Sequence, residues 1–509
     1  MLMSTDPTTP TPWGDEAATV RAVLDWVAER VWKPTDPTTR ARPGDELAQA
    51  TGPTITPDGI GAIEALRLFD EVLLPATRAM DDPDNWGYIP CAPTRAATAF
   101  DMATGLSNIF AGLWESGAGP IHAENQALAW ITGLLGWPDT AGGCFVSGGT
   151  SGNLSALVAA RHAAQAARVA NGLPARPVRG WALACTADAH SSIRAAADVM
   201  GVDVVAVPGD ELGRLTGLAL RAALDADSAG GDADSADGDA ARAANGDADD
   251  DAARAAAASN GPAGLSGEHG RRVFAVVASA GTTNAGIIDD LATTAEECER
   301  DGIWLHVDGA YGGAGLAAPS ARPRFVGIER ADSFIVDPHK WLFAPYDSCA
   351  LVYRHPERAL AAHGQHAVYL DAVDRTTWNP ADLAVHLTRR PRGLPLWFSL
   401  ATHGTHAYAA AVEAGLSTAR AVADAIRERP FLHLLTEPML SVVLFERPGW
   451  TGDDYDRWSR RHAIDGDFLI VPTRWRDRSV LRMAFVNPVT RLDHALAALD
   501  TLAGDPPDA

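Results

Sequence analysis

The feature that most constrains this sequence is a series of short apolar runs that alternate with helical or loop segments. The runs are too short for buried helices, and most of them are flanked on both sides by residues typical of turns. Apolar strands alternate with helices when a parallel sheet is covered on both faces. The pattern therefore predicts an α/β fold with a mostly parallel sheet flanked by helices. Its strands are expected at Cys144–Val146, Trp181–Cys185, Val202–Val207, Val273–Ala278, Ile303–Val307, Ser333–Val336 and Cys349–Tyr353.

The segments on either side of this series predict two further units. Within the first 140 residues, some stretches are rich in Pro, Thr and Asp. Most of the remaining stretches have the apolar spacing of helices. Beyond a long helical region at Pro395–Glu428, short apolar runs and helix-like segments form a second αβ pattern. We therefore expect an N-terminal helical segment at 1–110, a large domain at 111–385 and a smaller C-terminal αβ domain at 386–509.

The chain is acidic, with a formal net charge of −23 over 509 residues. A general nucleic-acid binder or a protein of anionic membrane surfaces needs a basic surface, so neither partner is expected. Part of the acidity is local, because residues 225–260 contain ten aspartates and two arginines. Such a segment buries too little apolar surface to offset its ordering entropy. Residues 225–270 are therefore predicted to be a disordered insertion.

Five cysteines are scattered along the chain, at Cys91, Cys144, Cys185, Cys298 and Cys349. They form no CxxC pair and no cluster with histidine at zinc-like spacing, so no metal site is expected. The first residues lack a basic-then-apolar signal pattern, and no apolar run approaches membrane-spanning length. These observations predict a cytoplasmic protein without a membrane segment.

Lysine is rare, because 40 of the 42 basic residues are arginine and the two lysines are Lys33 and Lys340. A composition rich in Ala, Arg, Gly, Pro and Asp explains the scarcity through nucleotide bias. Lys340 nevertheless lies between apolar residues in FIVDPHKWLF. In an apolar pocket a lysine has a lowered pKa, and its free amine can add to a carbonyl group. A solvated surface lysine is an equally good interpretation of this motif alone.

Polar residues and glycines follow five of the predicted strands, where ligands collect in parallel sheets. VSGGTSGN opens into a helix whose N-terminus could bind an anion. His190, Asp308 and the pair Thr282 and Thr283 end or follow other strands. Each alone fits a turn or helix cap. Together with Lys340 they match the needs of pyridoxal phosphate, which are a phosphate cradle, a carboxylate for the pyridinium nitrogen and a lysine for the aldehyde.

The ordered motifs SGGT, ADAHSS, AGTTNAG, HVDGAYGG and DPHKW resemble those of the group II pyridoxal-phosphate-dependent amino-acid decarboxylases. This fold-type I family includes aromatic-L-amino-acid decarboxylase. The resemblance runs from about residue 86 to residue 398, and HVDGAYGG followed by DPHKW is its most specific part. It implies a fold-type I enzyme that uses pyridoxal 5'-phosphate and forms a homodimer with the active site at the subunit interface.

The resemblance also implies a role for each matching residue. Lys340 would bind the cofactor aldehyde covalently, Asp308 would pair with the pyridine nitrogen, and His190 would stack on the ring. Tyr369, in HAVYLDAV, would protonate the substrate carbon after loss of carbon dioxide. The other cofactor contacts would come from Gly149, Thr150, Thr283, Ala310 and His339.

The substrate is expected to be an L-amino acid, with aromatic acids (Trp, Tyr or Dopa) preferred. The residues expected to face it are Trp86, Tyr88, Phe110 and Arg392. Core packing explains the three aromatic side chains as well as substrate binding does. Alternatives are a decarboxylase of Glu, Asp or 2,4-diaminobutyrate, an aromatic aldehyde synthase, and a non-catalytic relative that binds partners through the acidic insertion. Retention of His190 and Tyr369 disfavours the aldehyde synthase.

Overall fold

The computed structural model of the chain describes residues 16–33, 36–242, 272–365 and 378–506. A seven-stranded sheet forms its centre, in the order β1-β7-β6-β5-β4-β2-β3. Strand β7 runs antiparallel to β1 and β6, and the other neighbouring strands are parallel. The predicted α/β fold with a mostly parallel sheet is confirmed. The strands are β1 (Gly142–Val146), β2 (Ala182–Thr186), β3 (Asp203–Val207), β4 (Val273–Ser279), β5 (Trp304–Asp308), β6 (Ser333–Val336) and β7 (Cys349–Tyr353).

Alternate residues of the central strands enter two hydrophobic cores, one on each face of the sheet. In β6, Phe334 and Val336 belong to one core, whereas Ile335 belongs to the other. In β7, Val352 belongs to the same core as Phe334, and Leu351 belongs to the same core as Ile335. Strands buried on both faces need apolar residues at every position, which explains why these runs lack a polar alternation.

Helices cover the sheet and extend beyond it at both ends of the chain. Helix α12 packs against α4 and α5, although the domain prediction places its residues in the C-terminal unit. The domain boundaries themselves stay a prediction. The helices are α1 (Glu16–Arg30), α2 (Gly44–Thr51), α3 (Ala62–Leu68), α4 (Arg95–Ser107), α5 (Trp114–Leu134), α6 (Gly149–Ala170), α7 (Ser191–Met200), α8 (Gly217–Arg242), α9 (Leu291–Asp301), α10 (Pro338–Trp341), α11 (Pro356–His363), α12 (Leu394–His403), α13 (Thr405–Arg427), α14 (Gly452–Asp465) and α15 (Leu492–Asp500).

The C-terminal part contains a second, smaller sheet of four antiparallel strands in the order β10-β11-β9-β8. Residues of α13, α14 and α15 pack with this sheet in a separate hydrophobic core. The expected smaller αβ unit is therefore present. Its strands are β8 (His433–Leu434), β9 (Val442–Glu446), β10 (Val471–Trp475) and β11 (Arg478–Ala484).

The predicted disordered insertion at 225–270 is wrong in its first part, because α8 continues to Arg242. Alanine-rich sequence favours a helix, and Leu224 anchors α8 in the large core. Asp227, in the same helix, forms an ion pair with Arg272 at 2.6 Å. Residues 243–271 lie outside the described part of the chain. Among the described residues, no helix is long and apolar enough to cross a membrane.

Candidate active site

A cavity of about 290 Å³ lies where several strands of the large sheet end at their carboxyl side. It brings together all eight described residues that were predicted to contact the cofactor or act in catalysis. These residues come from five different strand ends and from the loops that follow them. The lining residues are Ser147, Gly148, Gly149, Thr150, Asn153, His190, Ser279, Gly281, Thr282, Thr283, Asp308, Ala310, Tyr311, Asp337, His339, Lys340, Tyr346 and Asp347.

The N-terminus of α6 faces this cavity and is built from glycines. Gly148 is the N-cap residue, and the 22-residue helix begins at Gly149. A Cβ atom at Gly149 would lie 3.2 Å from Asp337 Oδ2 and 3.3 Å from Ala310 Cβ, so a larger residue would crowd the cavity. Backbone N–H groups and the positive end of the helix dipole suit a phosphate group at this position.

Asp308 occupies the end of β5, where both of its carboxylate oxygens have protein donors. Oδ1 accepts a hydrogen bond from Ala310 N at 3.0 Å, and Oδ2 accepts one from Asn153 Nδ2 at 2.9 Å. The residue is 8% exposed and lines the cavity. A carboxylate fixed by two donors and facing a cavity can pair with a cationic ring nitrogen.

Behind Asp308, a hydrogen-bonded chain of buried side chains fixes the orientation of Asn153. Asn153 Oδ1 lies 2.8 Å from His306 Nε2, and His306 Nδ1 lies 2.8 Å from Ser333 Oγ. Trp304 Nε1 donates to the same Ser333 oxygen at 2.8 Å. Burial lowers the pKa of His306 to about 4, although the nearby Asp308 acts in the opposite direction. A neutral His306 can then accept from Ser333 and donate to Asn153.

The sequence prediction did not identify Asn153, His306 or Ser333. One signal was available, because His306 precedes Asp308 by two residues on the same strand. Side chains two residues apart share one face of a strand. A polar residue in an otherwise apolar buried strand needs a hydrogen-bond partner, and that requirement points to a network beside Asp308.

His190 is both the N-cap of α7 and part of the cavity lining. Its Nδ1 accepts a hydrogen bond from Ser192 N at 3.2 Å and lies 2.8 Å from Ser192 Oγ. Ser192 Oγ also accepts from Asn153 Nδ2 at 2.9 Å. The same asparagine therefore fixes the positions of Asp308 and, through Ser192, of the His190 ring.

Lys340 lies in the short helix α10, and its Nζ is 3.0 Å from Asp337 Oδ2. Burial alone would lower the pKa of the lysine, but the carboxylates of Asp337 and Asp308 outweigh burial and raise it above the ordinary value. The expected lowering of this pKa is therefore wrong for the chain without cofactor. An apolar sequence context did not reveal the two carboxylates that the fold brings to the amine.

His339 and Thr283 both line the cavity, and contacts with backbone carbonyl groups hold both segments. His339 Nδ1 lies 2.7 Å from the carbonyl oxygen of Ser348. The carbonyl oxygen of Thr283 accepts a hydrogen bond from Arg482 Nη2 at 2.7 Å, and that of Tyr88 accepts one from Arg482 Nη1 at 2.7 Å. Arg482, a residue of the C-terminal sheet, thus joins two loops near the cavity.

The residues predicted to face the substrate do not line this cavity. Trp86 is fully buried in the C-terminal core, with its ring stacked 6.0 Å from that of Phe468, so its prediction as a substrate contact is wrong. Its aromatic character serves packing instead. Tyr88 is 59% exposed, and Phe110 is partly exposed.

Arg392 is also absent from the lining, but it reaches a residue that belongs to it. Its Nε donates to Asp347 Oδ1 at 2.9 Å. Asp347 and its neighbour Tyr346 line the cavity and were not predicted. Tyr369 lies outside the described residues.

Comparison with known protein families identifies this arrangement. A family model described as "Pyridoxal-dependent decarboxylase conserved domain" matches residues 63–234 and 265–447, more than half of the chain. The chain belongs to the pyridoxal-dependent decarboxylase family. It is accordingly a pyridoxal-phosphate-dependent amino-acid decarboxylase, and the predicted family, enzyme class and cofactor are confirmed.

Individual relatives of this decarboxylase differ in substrate. The chain is 25% identical to the aromatic-L-amino-acid decarboxylase of Bacillus atrophaeus over 465 residues, which cover 89% of this chain and 87% of that protein. It is 30% identical to the L-2,4-diaminobutyrate decarboxylase of Rhizobium meliloti (strain 1021), with 76% and 69% covered. The crystal structure of Oryza sativa TDC with PLP and tryptamine superposes with a TM-score of 0.81 at 20% identity, over 97% and 98% of the two chains. The last comparison shows the fold alone.

The cavity of the decarboxylase fits pyridoxal phosphate on its own chemistry. Gly149, at the start of α6, has no side chain and so leaves room for a phosphate group. Asp308 supplies a buried carboxylate. Lys340 supplies an amine in the same cavity. The cavity therefore offers a suitable protein group to each of three parts of the cofactor, its phosphate, its pyridinium nitrogen and its aldehyde.

Proposed function

We propose that the chain converts an aromatic L-amino acid to its amine and carbon dioxide, with Lys340 as the residue that binds pyridoxal phosphate covalently. The observation that carries this proposal is the meeting of Lys340, Asp308 and the N-terminus of α6 in one cavity. Gly149, Thr150 and His339 would hold the phosphate group. Other contacts to the ring would come from His190, Thr283 and Ala310.

When bound, the cofactor supplies an electron sink for the pair released from the Cα–carboxylate bond. The chain's own task is to keep a proton on the pyridine nitrogen, and Asp308 can do so as a fixed carboxylate. Asn153 and Ala310 N hold that carboxylate, so little reorganisation is needed as charge develops. His190, fixed by Ser192, would keep the ring from tilting.

We propose Tyr369 as the acid that delivers a proton to the substrate carbon, on the resemblance of HAVYLDAV to the family motif. A Tyr369→Phe substitution removes the acidic hydroxyl but keeps the ring. We expect the variant to bind pyridoxal phosphate normally and to lose most amine formation, measured by chromatography of the product. Unchanged amine output would remove the proposed role.

The preference for aromatic substrates rests on aromatic groups at or near the cavity. Tyr346 lines it, with its ring 5.1 Å from that of His339. Tyr88 and Phe110 would contribute across a dimer interface, and Arg392 would act at the rim through Asp347. Aromatic side chains bind an aromatic substrate by stacking and by excluding water.

A second candidate is decarboxylation of 2,4-diaminobutyrate, whose side chain carries an additional amine. The carboxylates of Asp337 and Asp347 in the lining favour a cationic substrate. The experiment that separates the candidates incubates the holoenzyme with individual amino acids and measures the amine and carbon dioxide released. Tryptophan, tyrosine or Dopa should react fastest. Predominant activity on diaminobutyrate, glutamate or aspartate would overturn the aromatic proposal, and aldehyde with ammonia and peroxide would indicate an aldehyde synthase.

We propose that the enzyme is a homodimer, because several apolar side chains of the N-terminal helical segment are not covered by the part of the chain that the structure describes. Helices α1 and α2 have no buried residue, and Leu24, Trp32 and Ile63 are largely exposed. Apolar surface of this kind marks a protein interface. Light scattering should give about twice the chain mass of 53.5 kDa. A mass of one chain would contradict the dimer.

We further propose a cytoplasmic location for the enzyme. All five cysteines are buried as free thiols. Free thiols persist in a reducing compartment, whereas exported proteins tend to pair theirs.

A further inference from the structure

Asp337 is a buried carboxylate to which the proposed decarboxylation of an aromatic amino acid assigns no task. It follows β6, is 2% exposed and lines the cavity. Its Oδ2 lies 3.0 Å from Lys340 Nζ and 3.7 Å from His339 Nε2. Its Oδ1 is buried and has no nitrogen or oxygen hydrogen-bond partner among the residues that the structure describes. A buried carboxylate with one unsatisfied oxygen is costly, so its retention beside the reactive amine needs an explanation.

We propose that Asp337 is the proton partner of Lys340, which positions the amine and takes its proton when a carbonyl group enters the cavity. The inference rests on the proposed role of Lys340 as the covalent residue. The geometry supports it, because the carboxylate and the amine are separated by one hydrogen-bond length inside the cavity that must admit the aldehyde. Asp308 is held by Asn153 and Ala310 N and is therefore available to the cofactor ring instead.

The proposed step balances within the two side chains and the aldehyde. An N–H bond of the Lys340 ammonium breaks, and the proton forms an O–H bond on Asp337. The freed nitrogen lone pair then forms a bond to the carbonyl carbon. The carbon–oxygen bond then breaks as the carbon–nitrogen double bond forms, and the oxygen leaves as water with two protons, the one held by Asp337 and a second lost from the nitrogen, which keeps its last proton and the positive charge. No oxidant, reductant or metal takes part.

The groups that face this pair come from three elements. Asp308 ends β5, His339 and Lys340 belong to α10, and Cys349 begins β7. Burial raises the pKa of the Cys349 thiol, and the charge of Asp337 adds to the effect, so Cys349 remains a neutral neighbour. Asp337 and Asp308 are thus the two anions that stabilise the Lys340 ammonium, with Asp337 the stronger of them.

The chain offers a direct test, because it has two lysines and the other is a suitable internal standard. Lys33 is 65% exposed, with Glu29 as its ion-pair partner at 3.5 Å. Cofactor-free protein is labelled briefly with acetic anhydride over a range of pH, and mass spectrometry of the two lysine peptides follows the free amine. In Asp337→Asn the labelling midpoint of Lys340 should fall by at least about one pH unit, because burial remains and the nearer anion is lost. The midpoint of Lys33 should not move.

Two further variants keep the test decisive. Asp337→Ser removes the same charge with a smaller side chain and serves as the alternative if the Asp337→Asn variant does not fold. Circular dichroism checks the fold of each variant. Asp308→Asn should shift the Lys340 midpoint less than Asp337→Asn does. An unchanged Lys340 midpoint in a folded Asp337 variant would overturn the proposal, as would a larger shift from Asp308→Asn.

The proton-transfer part has its own measurement. Pyridoxal phosphate is added to cofactor-free protein, and borohydride at timed intervals fixes it on the chain. The rate of cofactor capture is divided by the fraction of Lys340 that is present as free amine. This normalised rate should be at least about tenfold lower in Asp337→Asn than in wild type. Equal normalised rates would contradict the proposal. Failure of wild type to fix cofactor on Lys340 would instead contradict the proposed function, whereas the acetylation result does not depend on cofactor.

Discussion

The two carboxylates of the cavity differ in their partners, and the partners determine what each can do. Asp308 accepts hydrogen bonds from neutral donors, so its charge remains available to a cationic ligand. Asp337 already faces a cation, Lys340. The sequence motifs contain both acidic residues, but only Asp308 was predicted to act, because the hydrogen-bond partners that define their roles come from distant parts of the chain, such as Asn153.

At the scale of this residue, Asp308→Asn tests the pairing with the cofactor ring. The amide cannot hold a proton on the pyridine nitrogen by charge, and loss of a charge-assisted hydrogen bond costs about 1.5–3 kcal/mol. We expect kcat/KM for the preferred amino acid to fall by roughly tenfold to more than a hundredfold. Asp139→Asn changes an exposed aspartate in the same way and should leave the activity unchanged. Activity of Asp308→Asn within twofold of wild type would exclude the pairing.

At the scale of elements, the sequence predicted the central strands closely because each one is an unbroken apolar run. The prediction and the structure agree at both ends for Ser333–Val336 and Cys349–Tyr353. The antiparallel direction of β7 was not predictable, since an apolar run carries no direction. Similarly, the predicted long helix at Pro395–Glu428 is two helices, because Gly404 adopts φ 77° between them.

The glycine that begins α6 gives a prediction at this scale. In Gly149→Ala the added methyl group would lie within 3.3 Å of Ala310 Cβ and Ile335 Cδ1. Overpacking of this kind costs about 1–3 kcal/mol, so the dissociation constant of pyridoxal phosphate should rise roughly fivefold to a hundredfold.

Gly133, in helix α5, is the matched control for this substitution. A Cβ atom there meets nothing within 4 Å, so Gly133→Ala should leave cofactor binding unchanged. Fluorescence titration of cofactor-free protein measures both variants. Equal affinity of the Gly149→Ala variant and wild type would show that this end of α6 does not hold the phosphate.

At the scale of the whole molecule, the contacts that sequence reasoning missed are those between distant segments. Trp86 reads as a candidate substrate contact in a local motif, but the fold places it against Phe468 and Phe485 of the C-terminal core. Arg482 lies almost 200 residues beyond Thr283, whose carbonyl oxygen it binds. Apolar periodicity identifies elements, but it does not tell which loops meet after folding.

Burial of His306 gives a prediction about the stability of the molecule. Its folded pKa of about 4 lies below the ordinary 6.5, so the unfolded chain binds a proton that the folded chain does not. Stability from this residue is present above pH 6.5 and is lost as pH falls towards 4. Relative to His306→Gln, wild type should lose about 1.4 kcal/mol per pH unit in that window.

Comparison with the variant is necessary because Asp289 acts in the opposite direction. Burial raises its pKa to about 7, so its contribution to stability is lost as pH rises. Asp289 is present in both proteins, and its effect cancels in the difference. Urea denaturation at pH 7 and pH 5 provides the measurement, and parallel losses in the two proteins would show that His306 is not held neutral.

The covalent role of Lys340 is the central claim, and the presence of two lysines makes it directly measurable. The protein is incubated with pyridoxal phosphate, reduced with borohydride, digested and mapped by mass spectrometry. We predict that the fixed cofactor lies on the peptide that contains Lys340, that the Lys33 peptide is unmodified, and that Lys340→Ala fixes none. Cofactor fixed on Lys33, or fixed equally well by wild type and Lys340→Ala, would contradict the account.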